Sequence, residues 1–228
     1  MIATVHVADV GRRALLHALR NRPDRADIAG LRWAEVAPAA ALASFRPPGL
    51  RRGVLFAMFD DRPSAESFCA THPLARRFAD DGFQAMLRPL RAYGSWPGLP
   101  TETPRRRVTD HDGPLLVTTL GRLRISQTPR FLAASRPAER AVVAADGLVW
   151  ACAATRPPFV ATLSVWSDER RTAAYAYGDP ASGHPQAIRR QQKKDFHHES
   201  AFIRYAIVSA TGALPGGATI PRSDGDRV

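Results

Sequence analysis

Gly30-Leu31-Arg32-Trp33 returns in the second half of the chain as Gly147-Leu148-Val149-Trp150, and Val54-Leu55-Phe56-Ala57-Met58-Phe59-Asp60-Asp61 returns as Ala161-Thr162-Leu163-Ser164-Val165-Trp166-Ser167-Asp168. His72-Pro73-Leu74-Ala75-Arg76-Arg77 has its counterpart in His184-Pro185-Gln186-Ala187-Ile188-Arg189-Arg190, and Leu87-Arg88-Pro89-Leu90 in Ile203-Arg204-Tyr205-Ala206. The order is kept and the offsets are similar. Self-similarity of this kind reads as two copies of one structural unit.

Working outward from these stretches, each copy has the order βαββαβ. In the first, residues 3–10 form a strand, 12–22 a helix with apolar spacing through Ala14, Leu15, Ala18 and Leu19, and 31–37 and 54–59 two more strands. Asp61 is placed to cap a helix with Pro63 in its first turn, continuing in pieces to about residue 85, and 86–93 closes the unit as a strand bulged at Pro89. The second copy reads as strand 115–125, helix 129–144, strands 148–154 and 159–166, helical 168–196 and strand 202–209. This divides the chain into a first repeat over 1–96, a breaker-rich linker over 97–114, a second repeat over 115–212 and a tail over 213–228 expected to lack structure. The fold class is α+β. Two tandem ferredoxin-like units, each with helices on one face of an antiparallel sheet, bury their bare faces together as a dimeric α/β-barrel-type architecture, which predicts a cavity between the sheets.

The 228 residues are 45% hydrophobic and 23% charged, without an apolar run of membrane-spanning length or a secretory signal, so the expected address is the cytoplasm. The formal charge is +11, and all basic residues but Lys193 and Lys194 are arginine. The arginine pairs are dispersed, which suits solvated helix faces better than a nucleic-acid surface. Arg52-Gly53-Val54-Leu55-Phe56-Ala57-Met58-Phe59 imitates an RNA-recognition strand but lacks the stacking aromatic at Val54, so nucleic acid is not an expected partner. Cys69 and Cys152 have no metal-ligand spacing and read as reduced, buried thiols.

The second half resembles the spheroidene monooxygenase family. The likeness runs through the strand ending at Trp166, the aromatic Ala174-Tyr175-Ala176-Tyr177, His184 before its proline, and Glu199 with Phe202-Ile203-Arg204-Tyr205. The first half fits through Leu74-Ala75-Arg76-Arg77 and Arg88-Pro89-Leu90-Arg91-Ala92-Tyr93-Gly94-Ser95-Trp96. The resemblance implies a haem b-dependent monooxygenase, an iron held by one proximal histidine in one ferredoxin-like half, a small or polyene metabolite as substrate, O2 or peroxide as oxidant, and a homodimer as an open assembly. The architecture is also similar to the haem-binding barrels of chlorite dismutases and aldoxime dehydratases. Phe196-His197-His198 departs from the Trp-Tyr expected before the acid, which argues against strict carotenoid specificity. The alternatives are a cofactor-free barrel monooxygenase and a non-catalytic ligand-binding barrel.

Within that resemblance, His184 is the first choice for the metal, with Glu199 or Asp168 as acceptor for its second ring nitrogen. The competing reading makes His184-Pro185 a helix boundary, as His72-Pro73 would be. His197 and His198 are the runners-up; on a helix they would point about 100° apart, so only one could face a pocket. Trp33, Phe56, Trp150, Leu163 and Trp166 are candidates for an apolar wall. Arg88 and Arg204 are candidates for the propionates. Catalytic residues are not singled out, and His6 and His17 read as core or surface.

Overall fold

The computed structural model describes residues 1–44, 49–80, 82–106, 110–178 and 196–221. The first half runs β1 (Ile2–Asp9), α1 (Arg12–Arg20), β2 (Leu31–Ala41), β3 (Arg52–Phe59), α2 (Arg62–Thr71), α3 (Pro73–Asp80) and β4 (Gly82–Gly94). The second half runs β5 (Leu115–Leu123), α4 (Thr128–Val143), β6 (Leu148–Arg156), β7 (Phe159–Trp166), α5 (Glu169–Ala173) and β8 (His197–Thr211); a 3-10 turn at Ile125–Gln127 precedes α4 and a π turn at Ala174–Gly178 follows α5.

The repeated Gly-Leu-x-Trp motif is a turn followed by a bulge. Gly30 (φ 70°) and Gly147 (φ 79°) both sit in the left-handed region that glycine adopts without strain. Each carbonyl accepts from the residue after the central strand, Asp60 N at 2.8 Å and Ser167 N at 2.8 Å. A Cβ on Gly30 would lie 2.3 Å from Ser64 Oγ, and one on Gly147 would lie 2.2 Å from Arg171 Cδ, so both turns pack under the helix that follows. The next two residues take a register shift, Leu31/Trp33 in β2 and Leu148/Trp150 in β6. The extra residue turns both tryptophans to the same side of the sheet as Met58 and Val165. The helix starts match too. Asp61 accepts from Ser64 N at 2.8 Å and Asp168 from Arg171 N at 2.8 Å. Hydrogen bonding from Ser64 holds the Asp61 carboxyl below the usual range. Burial pushes Asp168 up, but hydrogen bonds from Arg171 and Ser167 outweigh it.

All eight strands close into one antiparallel barrel in the order β1-β3-β2-β6-β7-β5-β8-β4. Each half therefore has the same internal order, β4-β1-β3-β2 and β8-β5-β7-β6. The seams between halves are unequal: β2 meets β6 over Ala39 to Ala41, whereas β4 meets β8 from Gln84↔Thr211 to Gly94↔Ala201. Alternate residues of every strand point inward and form one apolar cluster, among them Val5, Phe56, Leu87, Leu116, Cys152, Leu163 and Tyr205. A second cluster lies outside the first half's sheet, where Leu15, Ala18, Phe68 and Phe78 from the helices cover Val36, Leu55, Ala57 and Phe59.

Three expectations need correction. The stretch from Gly82 belongs to β4, because Phe83 and Ala85 alternate into the barrel where a helical reading had continued to about residue 85. His197 and His198 lie on β8, where a register shift opposite Arg122/Leu123 leaves His198 as the extra residue, and not on a helix with side chains about 100° apart. The segment after residue 212 is packed as far as described: Leu214 is 2% exposed, and Ala218 and Ile220 lie against the interior cluster. Among the described residues no helix is long and apolar enough to cross a membrane. Both cysteines are free thiols, which burial pushes up to about 11 for Cys69 and about 12 for Cys152.

Candidate functional site

The expected cavity between the sheets is filled by side chains. Trp33 packs edge-on to Phe56 and Trp96 with ring centroids at 5.8 and 5.6 Å, and Phe56 reaches Tyr205 at 6.0 Å. What is left is a void of about 10 Å³ bordered by Glu35, Phe56, Leu120 and Leu163, room for one water. Eight strands make a barrel just wide enough for its own side chains, and large aromatics on several of them use that width. One mouth is closed by Glu35, which accepts from Arg156 Nε at 2.8 Å and Arg156 NH2 at 2.7 Å. A porphyrin does not fit this interior.

The outer face of the second half is different. Register pairing sets its outward residues in three rows across β6, β7, β5 and β8: Ala151, Ser164, Val117, Arg204; Ala153, Thr162, Thr119, Phe202; Thr155, Val160, Gly121, Ser200. Apart from Arg204 and Phe202 at the β8 side, these are small or β-branched, and at about 4.8 Å between strands the floor is roughly 14 Å across. Val117, Thr119, Ala151, Ala153, Thr155 and Thr162 are all half-buried. Over them runs α4, which has no buried residue along its length. Its inward stripe of Phe131, Ala134, Ala138 and Val142 is itself half-exposed. A flat apolar ring system suits this floor in width and in the smallness of its side chains.

The floor's borders hold most of the residues singled out in the sequence. Trp166 is 2% exposed; its Nε1 donates to Ser164 Oγ at 2.8 Å and its ring lies 5.2 Å from Tyr175. Burial pushes the Tyr175 phenol up to about 12. Arg204, 6% exposed, is ion-paired with buried Glu169, whose other oxygen Oε2 has no hydrogen-bond partner among the described residues. Tyr177 lies between two guanidiniums, 5.5 Å from Arg204 and 5.8 Å from Arg91, and Arg91 donates to its hydroxyl. Arg88 is exposed on the outer face of β4, opposite Ala206. His197 lies at the far edge, paired with Leu123; a Cβ on Gly121 would sit 2.5 Å from its Cδ2, and its ring meets Phe131 edge-on at 5.3 Å. His198 is exposed. His184 lies outside the described residues.

The proposed apolar wall is split by the sheet, since Trp33, Phe56, Trp150 and Leu163 face the barrel interior and only Trp166 faces the floor. Glu169, Tyr177, Arg91 and Gly121 were assigned no role in the sequence. Gly121 alone gave a signal, a glycine inside a strand where something approaches closely. His6, read as core or surface, is core: it is fully buried under α2, and burial lowers its pKa to about 3. Among the described residues no group of three or more His, Cys, Asp or Glu could hold a metal ion.

No protein-family model matches the chain. It is 31% identical over 176 residues to the spheroidene monooxygenase of Rubrivivax gelatinosus, covering 75% of this chain and 66% of that protein. It is 25% identical over 168 residues to that of Cereibacter sphaeroides, covering 71% and 51%, and 23% identical over 175 residues to that of Rhodobacter capsulatus, covering 74% and 72%. The chain thus spans about half to three quarters of the length of these curated relatives. Among solved structures, an aldoxime dehydratase superposes with a TM-score of 0.54 at 8% identity, covering 97% of this chain and 88% of that one. Another, in complex with butyraldoxime, gives 0.53 at 8%, covering 95% and 84%. These two likenesses are of fold alone. The sequence relationship, sustained over three quarters of the chain, goes further: the chain belongs to the spheroidene monooxygenase-like family.

Proposed function

We propose that the chain is a haem b-dependent oxygenase that oxidises a small or polyene metabolite with O2 or peroxide, and that it works on the outer face of its second half. The observation that carries this reading is the floor of small side chains across β5 to β8, over which α4 has no buried residue. A soluble domain does not leave a sheet face thinly covered without a reason, and pockets between such layers are common cofactor sites. The family relationship supplies the class of reaction, and the matched turns of the two halves support their descent from one duplicated unit.

Each residue has a part to play. The His184 imidazole is assigned as the iron ligand. Bound there, haem would supply redox-active iron to activate the oxidant. Trp166 and Phe202 border the floor and exclude water. Thr119, Thr155 and Thr162 present hydroxyls that can donate to a polar group above them. Arg204 already answers to Glu169 and Tyr177, so Arg88, exposed two residues along the β4–β8 seam, is the better partner for a propionate at the rim.

Addition of haemin to the purified protein tests the reading. An intense Soret band with saturable binding is expected, and His184→Ala should abolish it while His197→Ala retains it. The reverse pattern moves the ligand to His197, which the position of its ring over Gly121 at the floor's edge makes the specific second choice. Absence of a saturable band in the unaltered protein refutes haem dependence and favours a cofactor-free oxygenase.

A further inference from the structure

Among the described residues only two Phe, Trp or Tyr side chains are exposed, Tyr93 at 61% and Tyr177 at 45%, and both stand beside one guanidinium. Arg91 donates through Nη1 to the Tyr177 hydroxyl and through Nε to the Arg105 carbonyl at 3.4 Å, and its Cζ lies 5.8 Å from the centre of the Tyr177 ring. Tyr93 follows two residues on. Side chains alternate along a strand, so it shares the outer face with Arg91, while Ala92 between them points into the barrel. The register of β4 on β8 sets Arg91 opposite Arg204 and Tyr93 opposite Phe202. Two rows of the floor therefore continue past β8 onto β4, one ending in a guanidinium and the other in two aromatic rings, Phe202 half-buried and Tyr93 open.

Like charges directly opposite each other in a sheet repel. Glu169 answers Arg204, and Glu199, further along β8, is paired with Arg122 at 3.6 Å. Arg91 is left with no carboxylate among the described residues, although it is half-buried and its guanidinium is held by Tyr177 and the Arg105 carbonyl. A guanidinium fixed in this way, with Nη2 still free to donate, is prepared for a carboxylate, and the rings beside it offer apolar surface. We infer that the substrate of this face is an apolar carboxylic acid, its carboxylate paired with Arg91 and its hydrocarbon body lying along Tyr93 and Phe202 toward the floor. This rests on the reading of the second half's outer face as the working surface. A neutral hydrocarbon would leave Arg91 uncompensated. A haem propionate offers the same chemistry, and the experiment separates the two sources.

Quenching of tryptophan fluorescence in the full chain by all-trans-retinoic acid and by all-trans-retinol, near neutral pH, compares one polyene with two head groups. The acid is expected to bind at least about tenfold more tightly than the alcohol. Arg91→Gln should bring the two affinities within about twofold of each other and leave that for retinol unchanged, which also reports an intact fold; Arg91→Lys should recover part of the preference. Tyr93→Ala should weaken both ligands about fivefold without altering their ratio, and Tyr93→Phe should restore them. Arg12→Gln with Arg13→Gln on α1, a control on bulk charge, should keep the ratio. The inference is overturned if the unaltered chain does not prefer the acid, if Arg91→Gln keeps the preference, if the α1 variant loses as much of it, or if Tyr93→Ala changes neither affinity. It is overturned equally if Arg91→Gln weakens haemin uptake and not the acid preference, which makes Arg91 a propionate partner, or if adenosine monophosphate displaces retinoic acid. A chain that takes up haemin without preferring the acid refutes this inference and leaves the haem reading standing; an acid preference lost with Arg91→Gln in a chain that takes up no haemin does the reverse.

Discussion

The two outer faces of this barrel have the same strand order and the same turns, yet one is a core and the other is not. In the first half Leu15, Phe68 and Phe78 press onto Val36, Leu55 and Phe59, and the sheet residues Thr4, His6 and Ala57 are fully buried beneath them. In the second half the corresponding rows are Ala, Ser, Thr, Val and Gly, with Arg204 and Phe202 at the β8 side, and α4 has no buried residue. The barrel interior and the first half's outer face are filled, and the second half's outer face is the one left open to a ligand. The candidate site is thus found where the second half stops matching the first.

Breaking the comparison starts with its largest expected effect. Phe78→Ala should cost about 3–5 kcal/mol, while Phe131→Ala on α4 should cost under about 1 kcal/mol, both measured by urea unfolding. Equal losses would mean that the second half has a helix–sheet core after all. Where the second half does bury a contact it is ionic. Glu169→Ala leaves Arg204 buried without its carboxylate and should cost about 3–5 kcal/mol, against about 0.3–0.5 for removing the exposed Arg62–Glu66 pair.

The first half's core holds a titratable group, and acid should find it. His6 is fully buried, its Nδ1 has no partner among the described residues and its Nε2 lies 3.9 Å from Cys69 Sγ. Burial lowers its pKa from 6.5 to about 3, so below pH 6.5 the unfolded chain binds the proton and the folded chain does not. The stability this histidine allows is whole above 6.5 and lost as pH falls toward 3, about 3 kcal/mol of it by about pH 4.5. His6→Leu should flatten that part of the pH–stability curve. An unchanged slope would place the acid sensitivity elsewhere.

Gly121→Ala sharpens the other side of the comparison with the smallest effect. The added methyl would meet the His197 ring at 2.5 Å, so the ring must move, at a cost of about 1–3 kcal/mol. If His184 holds the haem, the Soret maximum of the loaded protein stays where it was. A shift of the band would make His197 part of the site.

Much of this was legible along the chain. The apolar run at 159–166 is β7 as Phe159–Trp166, the caps at Asp61 and Asp168 start helices, and the bulge expected near Pro89 is the register shift Pro89/Arg91. These are local matters of period, turn chemistry and side-chain reach. His197 and His198 were misplaced because a polar stretch after a helical one carries no apolar alternation to mark the new strand. Glu169 and Tyr177 were given no role because an acid and an aromatic on a short helix have no meaning until β4 and β8 bring Arg91 and Arg204 to them.

The sequence by itself determined most of the units: the order of strands and helices, though not the starts of β4 and β8, and that Gly30 and Gly147 begin equivalent turns, because backbone conformation and side-chain period are properties of neighbours in the chain. Only the tertiary structure decided which space stays open. Filling depends on the summed volumes of residues far apart in sequence, such as Trp33, Phe56, Trp96 and Tyr205 meeting inside one barrel while Ala151, Thr162 and Gly121 line up outside it.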